Sequence, residues 1–252
     1  MVASRNSGST DVPPPAARIC AAHQPNLLPW AGFMAKVYRA DVFVIADTVQ
    51  YVKQNFVNRC KIPRAGKAHW LSIPVEKSGR FGQRQKDVHI DYTQPWRKKF
   101  TGTLRHLYGK SALYPVLGGA IEAAIDEECE YLIDLNVRLL SELTALLGIT
   151  TRICKLSELK VTSQDRCRRI VELTVACGCN HYLAGKGASM HYLVDEPFLQ
   201  TGISYSYHSF SEPPYEQADG EFTGGCSIVD SLFRCGVPAT RGRIGMEPGE
   251  KC

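Results

Sequence analysis

The 252-residue sequence lacks the patterns that announce a chemistry outright. It has no H-E-x-x-H or clustered His-Cys signature of a metal enzyme, and no G-x-S-x-G elbow for a nucleophilic serine. The glycine-bearing basic loop KSGRFGQRQ does not have the spacing of a Walker or dinucleotide fingerprint, so it is a weak phosphate cradle. None of the ten cysteines stands in C-x-x-C spacing, which removes the usual zinc and redox motifs. There is no long apolar run and no charged-then-apolar leader, so a reduced cytoplasm, free thiols and no membrane partner are expected. The closest pair, Cys177-Gly-Cys179, reads as a helix end with two buried thiols. Charge is also modest. Thirty basic and 25 acidic residues leave +5. This excess, read as spread along the chain, favours an anionic ligand but gives no direct support for nucleic acid.

What is present centres on residues 18–51. Residues 18–22 are mostly apolar and end abruptly at His23-Gln24-Pro25. Pro25 and Pro29 prevent an early helix. Residues 30–39 then suit a helix, and 42–46 (VFVIA) form a continuous apolar run without alternation, as a strand covered on both faces would. Strand, helix and strand make a βαβ unit. Ligands of open α/β sheets bind beyond the carboxyl ends of strands. His23, Gln24 and Asn26 follow one such end; Asp47 and Gln50 follow the next.

The rest of the chain alternates. Strands are expected at 70–75, 88–92, 151–156, 182–184 and 203–207. Helices are expected at 94–108, 112–125, 130–147 with a stop at Gly148, 164–177 opened by Ser163, and 190–194. A closing helix is expected at 227–234, with Ser227 as N-cap and Asp230 in the first turn. Residues 1–16 should be disordered and 237–252 a loose tail. The reading is one α/β domain over 17–236, with a Rossmann-like βαβ core and a mostly helical insertion around 94–147.

His23-Gln24-Pro25, then Leu28-Pro29-Trp30 and Gly32, resemble the opening motif of the WbqC-like protein family. The likeness continues in order through Asp41, Asp47, Gln50-Tyr51, Asn58-Arg59, Trp70-Leu71, Pro74-Val75, Gly185, Tyr192, Pro214-Tyr215, Gln217 and Ser227 to Phe233. It covers about residues 18–236. Leu27, Phe100, Ala184 and Arg234 depart from the pattern, which puts substrate choice in question. The resemblance implies a place in surface-polysaccharide or natural-product biosynthesis. It also implies attachment of an acyl or aminoacyl group to an amino sugar.

Roles can then be assigned. His23 is the candidate base, because imidazole titrates near neutrality. Gln24, Asn26 and Asp47 would orient a polar acceptor; capping and turn formation are their plainer uses. Lys53, Arg59 and Lys61 would hold an anionic donor, against the alternative of a solvated basic face. Tyr215 and Gln217 would close one pocket with His23, Asp47, Asn58 and Arg59, and Asp230 would support it from beneath. Cys20 and Cys226 are weaker candidates for a nucleophile. The partner is a small molecule, with a carrier-bound or tRNA-bound acyl donor left open. The strand–loop–helix start also resembles nucleotidylyltransferases and pantothenate-synthetase-like ligases, without the second histidine of their H-x-x-H motif. ATP therefore stays open as a cofactor, and an ATP-dependent amide ligase or a non-catalytic metabolite-binding protein stand as alternatives.

Overall fold

The computed structural model describes residues 17–246 apart from Lys77, Asp219 and Gly220. The segment 1–16 and the last six residues of the expected tail lie outside them. In chain order the elements are β1 (Ile19–His23), α1 (Ala31–Tyr38), β2 (Val42–Ile45), β3 (Arg59–Arg64), β4 (Lys67–Ser72), α2 (Trp96–Tyr108), α3 (Gly119–Asp126), α4 (Leu132–Leu147), β5 (Arg152–Lys155), α5 (Arg166–Ala176), β6 (His181–Gly185), α6 (Asp195–Thr201), β7 (Ser204–His208) and α7 (Ile228–Arg243).

Five strands make a parallel sheet in the order β5-β2-β1-β6-β7. Parallel neighbours need crossover connections, and the crossovers cover both faces. Alternate residues therefore enter two separate cores. Ala21, Phe43, Ile45 and Leu183 join the core that also holds apolar residues of α1, α2, α4 and α7. Cys20, Val42, Val44, Tyr182 and Ala184 face the other, with Ile170 and Val171 of α5 and Phe198 of α6. This is why VFVIA shows no polar alternation: neither face of β2 meets water. The chain is a mixed α/β structure with a Rossmann-like core. The helical insertion follows a separate antiparallel hairpin, β3–β4, whose two-residue turn Ala65-Gly66 has positive φ at both positions.

Four expectations need correction. Residues 88–92 form single bridges, Val75–Ile90 and His89–Tyr131, rather than a strand. Their backbone is satisfied one bond at a time, by Glu130 and Leu132 at the entrance of α4. The helix expected at 190–194 is a single 3-10 turn at Ala188–His191, and the true helix is α6, opened by Asp195-Glu196-Pro197. Acidic residues and proline suit a first turn, so the signal lay one segment later. Residues 237–243 are not loose. Gly236 breaks the helical backbone at φ 76°, α7 resumes to Arg243, and Ile244 and Met246 are buried. Ser163 does not open α5; Asp165 is its cap, accepting from the Arg168 amide at 2.8 Å.

Asp230 ties the insertion to α7. It is fully buried; its carboxylate accepts from Tyr108 of α2 at 2.8 Å, Tyr215 at 2.7 Å and Arg234 at 2.8 Å. Burial and the neighbouring carboxylate push both tyrosine hydroxyls up, so both stay protonated as donors. Removing one member of a buried charged set strands the others. Asp230→Ala should cost about 3–5 kcal/mol in urea unfolding. A loss below ~1 kcal/mol would show that the knot does not hold the fold.

Candidate functional site

The sheet order places β1 at the centre. The chain first builds outward through β2 and β5, then returns to build β6 and β7 on the other side. Adjacent crossovers thus diverge at the carboxyl ends of β1 and β6, the topological switch point where open α/β sheets bind ligands. His23 closes β1 there and Gly185 closes β6.

His23 keeps part of its surface open to solvent while protein packs around its ring. Phe33 packs edge-on to it with ring centroids 5.1 Å apart. Its Nδ1 lies 3.0 Å from the Gln24 carbonyl. A carbonyl only accepts, so Nδ1 carries the proton and Nε2 keeps its lone pair. Desolvation, then the nearby Lys36 ammonium, pushes the imidazole down to about 4. At neutral pH it is an uncharged base.

Sequence reasoning missed Lys36. It lies within the otherwise apolar α1 and is 5% exposed. Its Nζ donates to the Ala22 carbonyl at 2.9 Å, and a Cβ placed on Gly185 would stand 3.9 Å from it. The ammonium therefore lies between the ends of β1 and β6. Burial pushes it down to about 8. The available signal was a single cation on a helix, AGFMAKVY, with no polar face to receive it.

The loop after β1 is fixed from several sides. Leu28 is buried with φ 40°, a strained conformation of the kind that persists where surroundings enforce it. Gly32 tolerates no side chain, since a Cβ would meet the Trp30 ring at 2.3 Å. The Leu27 amide donates to Phe56 O at 2.9 Å. Asn136 of α4, a second residue that sequence reasoning missed, donates from Nδ2 to Val57 O at 2.8 Å and Pro25 O at 3.4 Å. Asn55 donates to Gln24 Oε1 at 3.3 Å. Through these bonds the His23 loop lies beside the 51–59 segment.

That segment walls a cavity of about 670 Å³, whose lining includes Tyr51, Lys53, Asn58, Arg59, Trp96 and Lys99. Three cations and no carboxylate line it. Asn58 is held by the Tyr51 hydroxyl at 3.1 Å and bonds Ile73 O at 2.9 Å. The Arg59 guanidinium donates to Gln54 O and stacks on Trp70, 3.8 Å from the ring centre.

The single expected pocket is therefore corrected. Lys53, Asn58 and Arg59 line the cavity, and Gln24 adjoins the same segment. Asn26 is buried in the loop beneath it. Asp47 is 1% exposed and accepts from the Ser157 amide at 2.9 Å, so it fastens the ends of β2 and β5. Gln50 pairs by its backbone with Arg84. Tyr215 is spent on Asp230. Gln217 clamps Thr223 through both side-chain ends and lines a separate crevice with Pro63 and Arg64. Asp47 follows a strand end and holds a backbone amide there, and Gln217 holds the backbone of its own loop, so both become internal ties.

The nine described cysteines are free, and Cys235 alone among them is not fully buried. The Cys20 thiol meets Cys177 and Cys179, and together with burial they push it far up. Burial pushes Cys226 to about 12. Neither supplies a thiolate. Among the described residues no group of histidine, cysteine and acidic side chains could hold a metal ion, and no helix is long and apolar enough to cross a membrane.

Fold and site define a Rossmann-like α/β protein with a histidine and a buried lysine at its switch point and a cation-lined cavity along the segment tied to the histidine loop. The chain belongs to the WbqC-like protein family, whose model matches residues 24–242. It is also 28% identical over 218 residues to an uncharacterized protein of Mycobacterium tuberculosis, covering 86% of this chain and 93% of the relative. No solved structure matches it.

The buried charge gives a signed pH prediction. Lys36 is lowered from 10.5 to about 8 by folding, so between those values the unfolded chain binds more protons and stability rises with pH. Below pH 8 the fold carries the whole cost of the charge. Lys36→Met should therefore raise the melting temperature at pH 7 by a few degrees, for a gain on the order of 1 kcal/mol. The gain should shrink between pH 8 and 10.5. A lower melting temperature at pH 7 would refute this.

Proposed function

We propose that the protein is an enzyme that joins an activated acyl or aminoacyl group to an amine of a small, sugar-like acceptor, forming an amide. One observation carries this reading. A cavity walled by Lys53, Arg59 and Lys99, without a carboxylate, lies along the segment that Asn55 ties to Gln24, the residue after a histidine that is neutral at physiological pH. The cations suit an anionic donor. The unprotonated Nε2 of His23 suits removal of a proton from an attacking ammonium or amine. Gln24, held by Asn55, suits orientation of the acceptor. Asp47 takes no part in this scheme, because its carboxylate is bonded to Ser157.

Amide formation from an activated acyl group needs three things from these residues. The donor must be held, and its negative charge is met by Lys53 and Arg59. The amine nitrogen must lose a proton as it bonds to the acyl carbon, and His23 receives it. The leaving group must depart with the electron pair of its former bond, and the proton on His23 is then available to it. The order of strands around β1, with Lys36 and Gly185 at the switch point, favours an ATP-activated variant of this reaction as the second reading.

The test begins with ligand discovery. Small molecules that copurify with the protein are identified by mass, then offered as donor or acceptor with and without ATP. His23→Ala should retain ligand binding and lose about 10²–10⁴-fold in turnover. Lys53→Glu and Arg59→Glu should instead release the anionic component. In the native enzyme, turnover should fall with acid through about pH 4, where His23 gains its proton. Full turnover in His23→Ala would remove the base. Binding of the metabolite with no turnover under any pairing would favour a carrier or presenting protein.

A further inference from the structure

The net charge conceals a strong local one. Residues 52–99 hold twelve lysines and arginines against three acidic residues, whereas the remaining 204 hold eighteen against twenty-two. The excess is concentrated in and around the β3–β4 hairpin, which corrects the impression of an even spread. Among the described residues Lys61, Arg64 and Lys67 form no ion pair.

The hairpin register decides which side carries the charge. Lys61 pairs with Trp70 and Arg59 with Ser72, so these four share one face. Cys60, Ile62 and Leu71 point the other way, into the core; Arg64 and Lys67 have the same parity but lie past them, exposed at the hairpin tip. The outer face is thus cationic with an aromatic centre. Trp70 is 41% exposed; Arg59 lies 3.8 Å and Lys61 Nζ 5.2 Å from its ring, and Phe56 packs at 5.2 Å. Close by in sequence, Phe81 is 93% exposed with Lys53 Nζ 5.3 Å from its ring centre.

We propose that this outer face of the hairpin, together with its charged tip at Arg64 and Lys67, binds a single-stranded nucleic acid. Unpaired cations supply the contacts to phosphates, and exposed rings between them supply stacking platforms for bases, the combination that single-strand binders use. An acidic protein partner would call for the cations but leave the exposed rings unexplained. Arg59 and Ser72 belong both to this face and to the cavity wall. A strand lying along the hairpin therefore runs towards the cavity mouth, and one end can enter it. That delivery of an end into the cavity rests on the acyl-transfer reading; the binding face does not.

The test uses the full chain and fluorescence anisotropy of labelled 12-nucleotide single strands, RNA and DNA of one sequence, between 50 and 200 mM salt. Each lost phosphate contact should flatten the logarithmic salt dependence by about 0.7. Lys61→Glu/Arg64→Glu/Lys67→Glu should weaken both probes at least tenfold and flatten the slope by about 2. The single changes Arg64→Glu and Lys67→Glu, at the exposed hairpin end, serve if the triple variant does not fold. Trp70→Ala should weaken binding about tenfold with little change in slope. Circular dichroism checks each variant's fold. Absence of binding at 50 mM salt would overturn the proposal, as would unchanged affinity in Trp70→Ala. Equal affinity for polyglutamate of matched charge would also overturn it, by showing a general polyanion surface. Failure of amide formation with nucleic-acid binding intact would remove only the delivery step.

Discussion

Everything in this molecule follows from β1 pairing in parallel on both sides. A parallel partner cannot be reached by a tight turn, so each pairing demands a crossover. The crossover to β2 is short, carried by α1. The one to β5 encloses the hairpin and α2 to α4, and the later ones use α5 and α6. Those connections cover both sheet faces, which creates the two cores and favours apolar residues along the central strands. The same constraint leaves loops diverging beyond His23 and Gly185. The site is thus a by-product of topology before it is a feature of any side chain. The residues placed there then determine the chemistry.

How much of this could be read from the sequence depended on whether one residue's neighbours were near it in the chain. The βαβ opening, α4 with its stop at Gly148, and the Ser227 cap were legible because periodicity and capping are local. The strand expected at 88–92 was misread because isolated bridges to Val75 and Tyr131 leave the same apolar trace as a ladder. For side chains the limit was sharper. His23 and Gln24 could be placed at a strand end, but the same reasoning promoted Asp47, whose partner, the Ser157 amide, is 110 residues away. Tyr215 and Gln217 were drawn into one pocket because irregular, tyrosine-rich loops often bind ligands. Their partners, Asp230 and Thr223, show that such a loop can instead be holding itself down. Asn136 was invisible for the complementary reason: in a strong amphipathic helix one buried amide reads as noise.

Lys36 and His23 show two sides of one environment. Each is uncharged more readily than in water, and desolvation leads in both cases. They also reinforce one another, because an ammonium beside an imidazole disfavours a second positive charge. A protein selected only for stability would replace Lys36 with an apolar residue, since among the described residues its ammonium bonds a backbone carbonyl and no carboxylate. Retaining a poorly compensated cation in the crevice accords with use by a ligand that carries the missing negative charge. The cost is borne in the free protein and would be offset when that ligand binds.

The hairpin handles its charge differently. Its cations stay in solvent, stacked against aromatic rings or extended along the strand edge, so each costs little to keep. What it gives up is a buried second face, and so it depends on Cys60, Ile62 and Leu71, with the Ser227 amide bonded to Lys61 O, to anchor it to the core. A two-stranded ribbon without such anchoring is marginal in water. The arrangement gives a stable base with an outer surface free of packing duties, and Arg59 extends from that surface into the cavity wall. Long-range attraction of an anionic partner and close-range fixing of its reacting end can then be divided between residues that need not change together. Charge on the ribbon sets how fast and how tightly the partner arrives. On the proposed reading, the switch point and cavity would set what happens to it there.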